Sequence, residues 1–366
     1  LFSKICKGMK YAFNVREVQS LLNGFLCIFK PRDVSISALE KLLLRRICEQ
    51  ANCLDPCRPL PTVELPIVES HSRSGALVVV GKQTQVDYSK HPLMVGQMFR
   101  PEEMRIEVLN YLEPSCSGVC LFGLNDGCDD LETVRDRAWL NEYILEGELG
   151  RETVEHHIRG KVAARAEFDH VTLHKLKCVL SMIRMQFKKT SLKFANVDMQ
   201  SQEAFELARR GAPRPKVLGS PLIYGIELRH YKLPNFKLSV QVTGEQGPFM
   251  RKLIHEIGCC LHTTACPRRV RRVREGCFGL DHALLDKHFH LESIVKNLLM
   301  STKMVNASLA QDSTDVIQVK SESQIEEERQ MVDKFRLRDE WTEALVDDEE
   351  EDSLRLPWGR DYTFVN

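Results

Sequence analysis

"YGIELRHYKLPNFKLSVQVTGEQGPFMRKLIHEIG", residues 224–258, decides the fold class because its hydrophobic period changes along its length. In "NFKLSVQV" the apolar Phe236, Leu238, Val240 and Val242 alternate with Lys237, Ser239 and Gln241, the period of two expected of a half-exposed strand. "YGIELRHY" alternates in the same way and "KLPN" supplies a turn, so the pair reads as an antiparallel hairpin. Beyond the turn at Gly247 and Pro248 the spacing lengthens. Leu253, Ile254, Ile257 and Leu261 recur at helical spacing, and Gly258 sits where close packing or helix termination is tolerated. A strand pair feeding a helix points to a mixed α/β chain of the α+β kind.

The upstream sequence repeats this mixture. "GFLCIFKP" reads as a short buried strand stopped by Pro31, which has no N–H for a ladder. In "SALEKLLLRRI" Ser37 and Glu40 fit a capping box, and Leu39, Leu42, Leu43 and Ile47 form a helical stripe. "VTLHKLKCVLSMI" places Leu173, Leu176, Leu180 and Ile183 on one face of a second helix.

The chain has 366 residues, 43% of them apolar, enough for one large core or two smaller ones. No window approaches the ~20 apolar residues of a membrane helix, so no membrane partner is expected. Two cysteine pairs, Cys53/Cys57 and Cys116/Cys120, are separated by three residues rather than the two of a zinc knuckle, and the thirteen cysteines are read as reduced thiols of an intracellular protein. Charge is divided unevenly: residues 1–300 hold 43 basic against 34 acidic side chains, and residues 301–366 hold 8 against 17. A basic body suits a polyanionic partner through counterion release. Three regions are therefore expected: a basic segment over 1–19 that resembles a mitochondrial targeting remnant, a core over 20–300, and an acidic, mostly disordered tail over 301–366 containing "VDDEEED".

Arg251, in the first turn of the helix after Gly247-Pro248, is placed either to hold a carboxylate in a fork of hydrogen bonds or simply to face solvent. Arg268, Arg269, Arg271, Arg272 and Arg274 crowd five cations into seven residues, a density that usually binds phosphate. His255 and Cys259 lie four apart with Glu256 between them, but the second histidine of the H-E-x-x-H zinc motif is missing, so no metal site is expected. "NYLEPSCSGVCLFGL", residues 110–124, sets Glu113 in a turn before an apolar run, where it is either a turn residue or a nucleophile.

Four separated blocks resemble the TruB family of RNA pseudouridine synthases, and most nearly its mitochondrial branch. Lys30-Pro31 after "GFLCIF" is similar to the family's strand and Lys-Pro signature. "EAFELARRG" (203–211) resembles its A-Y-x-x-A-R-x-G helix, "MRKLIHEIG" its I-R-x-L-V-x-D-I-G block, and "VRRVREGCF" its L-R-R-T-R-x-G-x-F block. The resemblance implies a pseudouridine-synthase-like fold: a largely antiparallel mixed sheet flanked by helices. Bacterial members of the family often carry a C-terminal PUA domain, but after Phe278 only a short helix-like stretch remains before the acidic tail, so a single core domain without PUA is expected. It also implies uridine isomerisation in RNA without metal or cofactor, with mitochondrial mRNA, rRNA or tRNA as the partner, a monomer, and a mitochondrial location, otherwise cytoplasmic or nuclear.

By that resemblance the nucleophile falls on Glu113 in "YLEPSCSGV", where the family carries Asp; Tyr143 is the stacking or general-base tyrosine, Arg251 the partner of the catalytic carboxylate, and Leu253 an apolar wall. Lys30 joins the five arginines as an expected RNA contact. The sequence departs from the family around the cleft, with Asn110, Tyr111, Asn141 and Val154 at positions of a histidine, a basic residue, a lysine and an acid. Two readings stay open: an isomerase using Glu113, and a non-catalytic RNA-binding or RNA-chaperone protein on the same fold.

Overall fold

The computed structural model describes residues 15–53, 62–70, 75–90, 99–215, 220–311 and 316–317. Helix α1 (Val15–Leu21) leads into strand β1 (Gly24–Lys30) and helix α2 (Ile36–Asn52). The hairpin of β2 (Thr62–Ser70) and β3 (Leu77–Val86) follows, then β4 (Ile106–Val108), β5 (Ser117–Leu124), α3 (Asp126–Asp136) and β6 (Asn141–Leu149). Short strands β7 (Arg151–Thr153) and β8 (Val162–Arg165) precede helices α4 (Leu173–Phe194) and α5 (Gln202–Arg210). After β9 (Ala212–Pro213) come the hairpin of β10 (Leu222–Lys232) and β11 (Asn235–Thr243), then α6 (Phe249–Cys260). The described chain closes with β12 (Ala265–Glu275), β13 (Phe278–Gly279), α7 (Leu291–Gln311) and β14 (Val316–Ile317).

The main sheet runs β1-β5-β12-β6-β11-β10, with β4 on β5 and β13 on β12. Every pairing in it is antiparallel except β5 with β12, which is parallel over Ser117–Gly118 against Arg271–Arg272. Helix α7 packs on β1, α3 on β5, α6 on β12 and α4 on β10, giving the mixed, largely antiparallel sheet flanked by helices that the resemblance implies. Strands β1 and β5 are buried at every position: Leu26, Ile28, Cys120 and Phe122 enter the larger core, while Phe25, Cys27, Val119 and Leu121 enter a second, smaller one. Burial on both faces is why these strands read as continuous apolar runs.

Three expectations change. Helix α2 is capped by Ser35, whose side chain accepts from the Ala38 N–H, so Ser37 lies inside the first turn instead of at its head. Strand β11 is buried from Leu238 to Thr243, because it lies between β6 and β10 and its polar Ser239 bonds to Glu142. The boundary expected at 301 falls inside α7; the "VDDEEED" block and most of residues 1–19 lie outside the described residues. The β2–β3 hairpin pairs with no strand of the main sheet and is exposed along nearly its whole length.

Candidate active site

The turn carrying Glu113 is fastened at both ends by buried cations. Lys30, at the last position of β1 and fully enclosed, donates from Nζ to the carbonyls of Pro31, Pro114 and Cys116. Burial lowers its ammonium to about 8, which leaves it charged at neutral pH. The Asp33 N–H also binds Pro114 O, and the Cys116 N–H closes the turn on Glu113 O at 3.0 Å. On the far side Arg272 of β12, with no exposed surface, donates to Val119 O at 2.6 Å and to Asn110 O at 3.2 Å. Gly118 makes that approach feasible: its φ is +138°, and a Cβ there would lie 2.2 Å from Arg272 O.

Glu113 faces Arg251. The Arg251 Nη2 donates to Glu113 Oε1 at 2.7 Å, and Nη1 donates to the carbonyl of Glu155, also at 2.7 Å. Their side chains retain 7% and 15% of their exposure, so the pair sits in a recess that solvent reaches mainly from the Glu113 side. The Arg251 Nε–H is enclosed and has no hydrogen-bond partner. Arg251 does not face solvent, and it meets the carboxylate with one terminal nitrogen only, the other being taken by the Glu155 carbonyl, so the contact is a single hydrogen bond and not a two-pronged fork. Leu253, two residues on in α6, is buried at 3%.

Tyr143 reaches this centre through Arg272. Its hydroxyl donates to Glu245 Oε1 at 2.7 Å and lies 3.4 Å from Arg272 Nη1, whose guanidinium also holds Asn110 O. Burial, and then the adjacent Glu245 carboxylate, hold the phenol well above its ordinary value of 10. It is protonated at neutral pH, which fits a wall or positioning group better than a proton acceptor. The ring itself is only 2% exposed.

Two departures from the family have structural partners. Asn141 donates to Glu245 Oε1 and accepts from the Gly276 N–H. Asn110 donates to Glu275 Oε1, while Glu275 Oε2 accepts from the Leu121 N–H and lies 3.3 Å from Arg272. Burial raises the Glu275 carboxyl and Arg272 pulls it back, leaving it at about 7. Tyr111 and Val154 are exposed. Sequence reasoning missed Glu245 and Glu275, and the one signal available was Glu275 three residues after an arginine in a dense cationic run.

The expected cationic stripe is divided. Arg272 and Lys30 are fully buried and cannot touch RNA; each is turned inward to satisfy backbone carbonyls. Arg271 is 9% exposed, Arg269 and Arg274 are half-buried, and Arg268 is exposed. Bulges in the β12–β6 ladder at Pro267/Arg269 and Arg272/Arg274 break the strand's strict alternation and spread these side chains unevenly.

Residues 102–248 match the N-terminal domain of TruB family pseudouridylate synthases. The chain is 30% identical over 290 residues to the mitochondrial pseudouridylate synthase TRUB2 of Homo sapiens, covering 79% of this chain and 87% of that one. To the Rattus norvegicus protein of the same name it is 32% identical over 276 residues, covering 75% and 84%. A chain of the archaeal box H/ACA sRNP Nop10–Cbf5 complex is similar at 15% identity and a TM-score of 0.42, over 76% of this chain and 60% of that one. With relatives of this identity over most of both chains, the protein belongs to the TruB family of pseudouridylate synthases.

Proposed function

We propose that the chain is an RNA uridine-to-pseudouridine isomerase of the mitochondrion, with Glu113 as its nucleophile. The 2.7 Å contact between Glu113 and Arg251 supports this reading best, because it holds a carboxylate in a recess with one oxygen engaged and the other left for chemistry. The names of the mammalian relatives support the compartment. The basic excess of residues 1–300 supports an RNA partner, drawn from mitochondrial mRNA, rRNA or tRNA and bound by a monomer.

The target uridine flips out of its stack at a cost of a few kcal/mol. A carboxylate oxygen of Glu113 adds to the nucleoside and the bond between N1 and the ribose breaks. The uracil turns, its C5 bonds to the same ribose carbon as the bond from that carbon to Glu113 breaks and returns the carboxylate, the C5 proton passes to solvent, and N1 takes up a proton in exchange. Arg251 orients the carboxylate. Tyr143 and Leu253 form the apolar wall, and Arg268 contacts the RNA backbone. No step calls on a metal or an organic cofactor.

Tritium release from RNA transcripts carrying [5-³H]uridine tests this reading. Parent protein is expected to release tritium from mitochondrial tRNA or mRNA, and Glu113→Ala to release none. An Ala variant as active as the parent overturns the assignment of Glu113. A parent that binds RNA but releases no tritium establishes the non-catalytic RNA-binding alternative.

A further inference from the structure

Helix α6 carries His255 one turn beyond Arg251, and its neighbours come from a distant part of the chain. Glu152 lies in β7, and His156 ends the turn Val154–His156 that follows it. The imidazoles of His156 and His255 stack with centroids 4.1 Å apart and planes 24° apart. His255 Nδ1 lies 3.8 Å from Glu152 Oε1, and one ligand atom from each of the three residues falls within 4.8 Å of the others.

Nitrogen atoms in this cluster are unsatisfied. The Nδ1 atoms of His156 and His255 are both enclosed, and neither has a hydrogen-bond partner. An enclosed polar atom left unpaired destabilises a fold, and here two such atoms belong to the same small group. Glu155 and His156 also adopt left-handed φ values of 54° and 57°, a conformation unfavourable for side chains other than glycine. Cys259 Sγ lies 3.4 Å from His255 Nε2; an Nε2–H directed at the sulfur leaves the Nδ1 lone pair facing Glu152 and His156.

We propose that Glu152, His156 and His255 form a binding site for a divalent transition-metal ion of the zinc class, with a fourth position for water. Two imidazoles and a carboxylate are a ligand set such ions favour, and bonds of about 2.0–2.2 Å need only a small inward shift of these side chains. The sequence pattern at His255 and Cys259 lacked its second histidine because that histidine comes from the turn after β7. The same turn supplies Glu155 O, on which Arg251 leans, so the ion fixes the support of that arginine.

The site stands on geometry independent of the isomerase reading, and its test needs neither RNA nor turnover. The full chain, stripped with chelator, is titrated with Co²⁺ while the visible absorption is recorded, and with Zn²⁺ against a chromophoric chelator. One equivalent is expected to bind with the intense visible bands of a tetrahedral cobalt site. His255→Gln and the isosteric Glu152→Gln are each expected to weaken binding at least tenfold. A parent that binds no ion, or a Glu152→Gln protein of unchanged circular dichroism that binds as the parent does, overturns the proposal. If His255→Gln does not fold, Glu152→Gln decides.

Discussion

Arg251 holds Glu113 across 2.7 Å while its other terminal nitrogen is anchored on the carbonyl of Glu155, so the carboxylate is oriented by a guanidinium that is itself fixed. Arg251→Met is expected to reduce turnover more than a hundredfold, since a displacement of about 1 Å can cost that much. It also leaves a largely buried carboxylate unpaired, a change of ~3–5 kcal/mol in stability. Removing the charge as well, in Arg251→Met/Glu113→Gln, is expected to restore part of that stability but none of the activity. Urea denaturation and tritium release measure the two separately. A double variant no more stable than Arg251→Met contradicts the pairing as the source of the loss.

Glu113→Asp is expected to lower turnover even though the family uses Asp at this position. The turn around Glu113 is tied down at Pro114 and Cys116 by Lys30, so the backbone cannot advance to compensate for a lost methylene. A drop of ten- to a hundredfold follows from the added separation from Arg251. Turnover above that of the parent would mean that the turn adapts and that the longer acid is the handicap.

Much of this architecture was legible because its elements are regular. The hairpin at Leu222–Thr243 and the helix at Phe249–Cys260 follow directly from periods of two and of three to four. The alternation of β11 nevertheless suggested a half-exposed strand, because polar Ser239 and Gln241 look the same in sequence whether they meet water or a hydrogen-bond partner. The same limit applies to the cations. A string of arginines records charge, and only the sheet register shows that Arg272 is turned into the core beside Gly118. Lys30 was misread for a related reason: its three acceptors are backbone carbonyls, which leave no trace in composition.

Lys30 therefore acts on the active-site turn. Lys30→Met keeps most of the buried stem but removes the Nζ donor shared by three carbonyls, of which Pro114 O keeps the Asp33 N–H. The fold is expected to lose stability by ~1–3 kcal/mol, and turnover to fall at least tenfold while RNA affinity stays within about twofold. Filter binding and tritium release on the same preparation distinguish this from a role in RNA contact, for which affinity would fall first.

Glu275 makes stability depend on pH in a direction opposite to that of ordinary paired carboxylates. Its pKa is raised by burial from 4.5 in the unfolded chain to about 7 in the fold. Between these values the folded chain keeps a proton that the unfolded chain has released. This contribution to stability is therefore lost as the pH rises from about 4.5 through 7. Glu275→Gln cannot titrate, so the urea midpoint of the parent is expected to fall relative to that of the variant between pH 5 and pH 8. Parallel midpoints across that range would show that Glu275 stays ionised, paired with Arg272, throughout.

Arg268 and Arg272 lie in one strand, and their substitution is expected to fail in different ways. Arg268 is exposed, so Arg268→Ala should leave the denaturation midpoint within about 0.5 kcal/mol of the parent. It should weaken RNA binding across sequences and lower the slope of log affinity against log salt by about one, the signature of one lost phosphate contact. Arg272→Ala removes the donor to Val119 O and Asn110 O and leaves Glu275 without its cation, so the expected loss is of the fold itself, by several kcal/mol. An unchanged salt slope in Arg268→Ala would move the RNA path off β12, whereas a stable Arg272→Ala protein with weakened RNA binding would place that guanidinium at the surface.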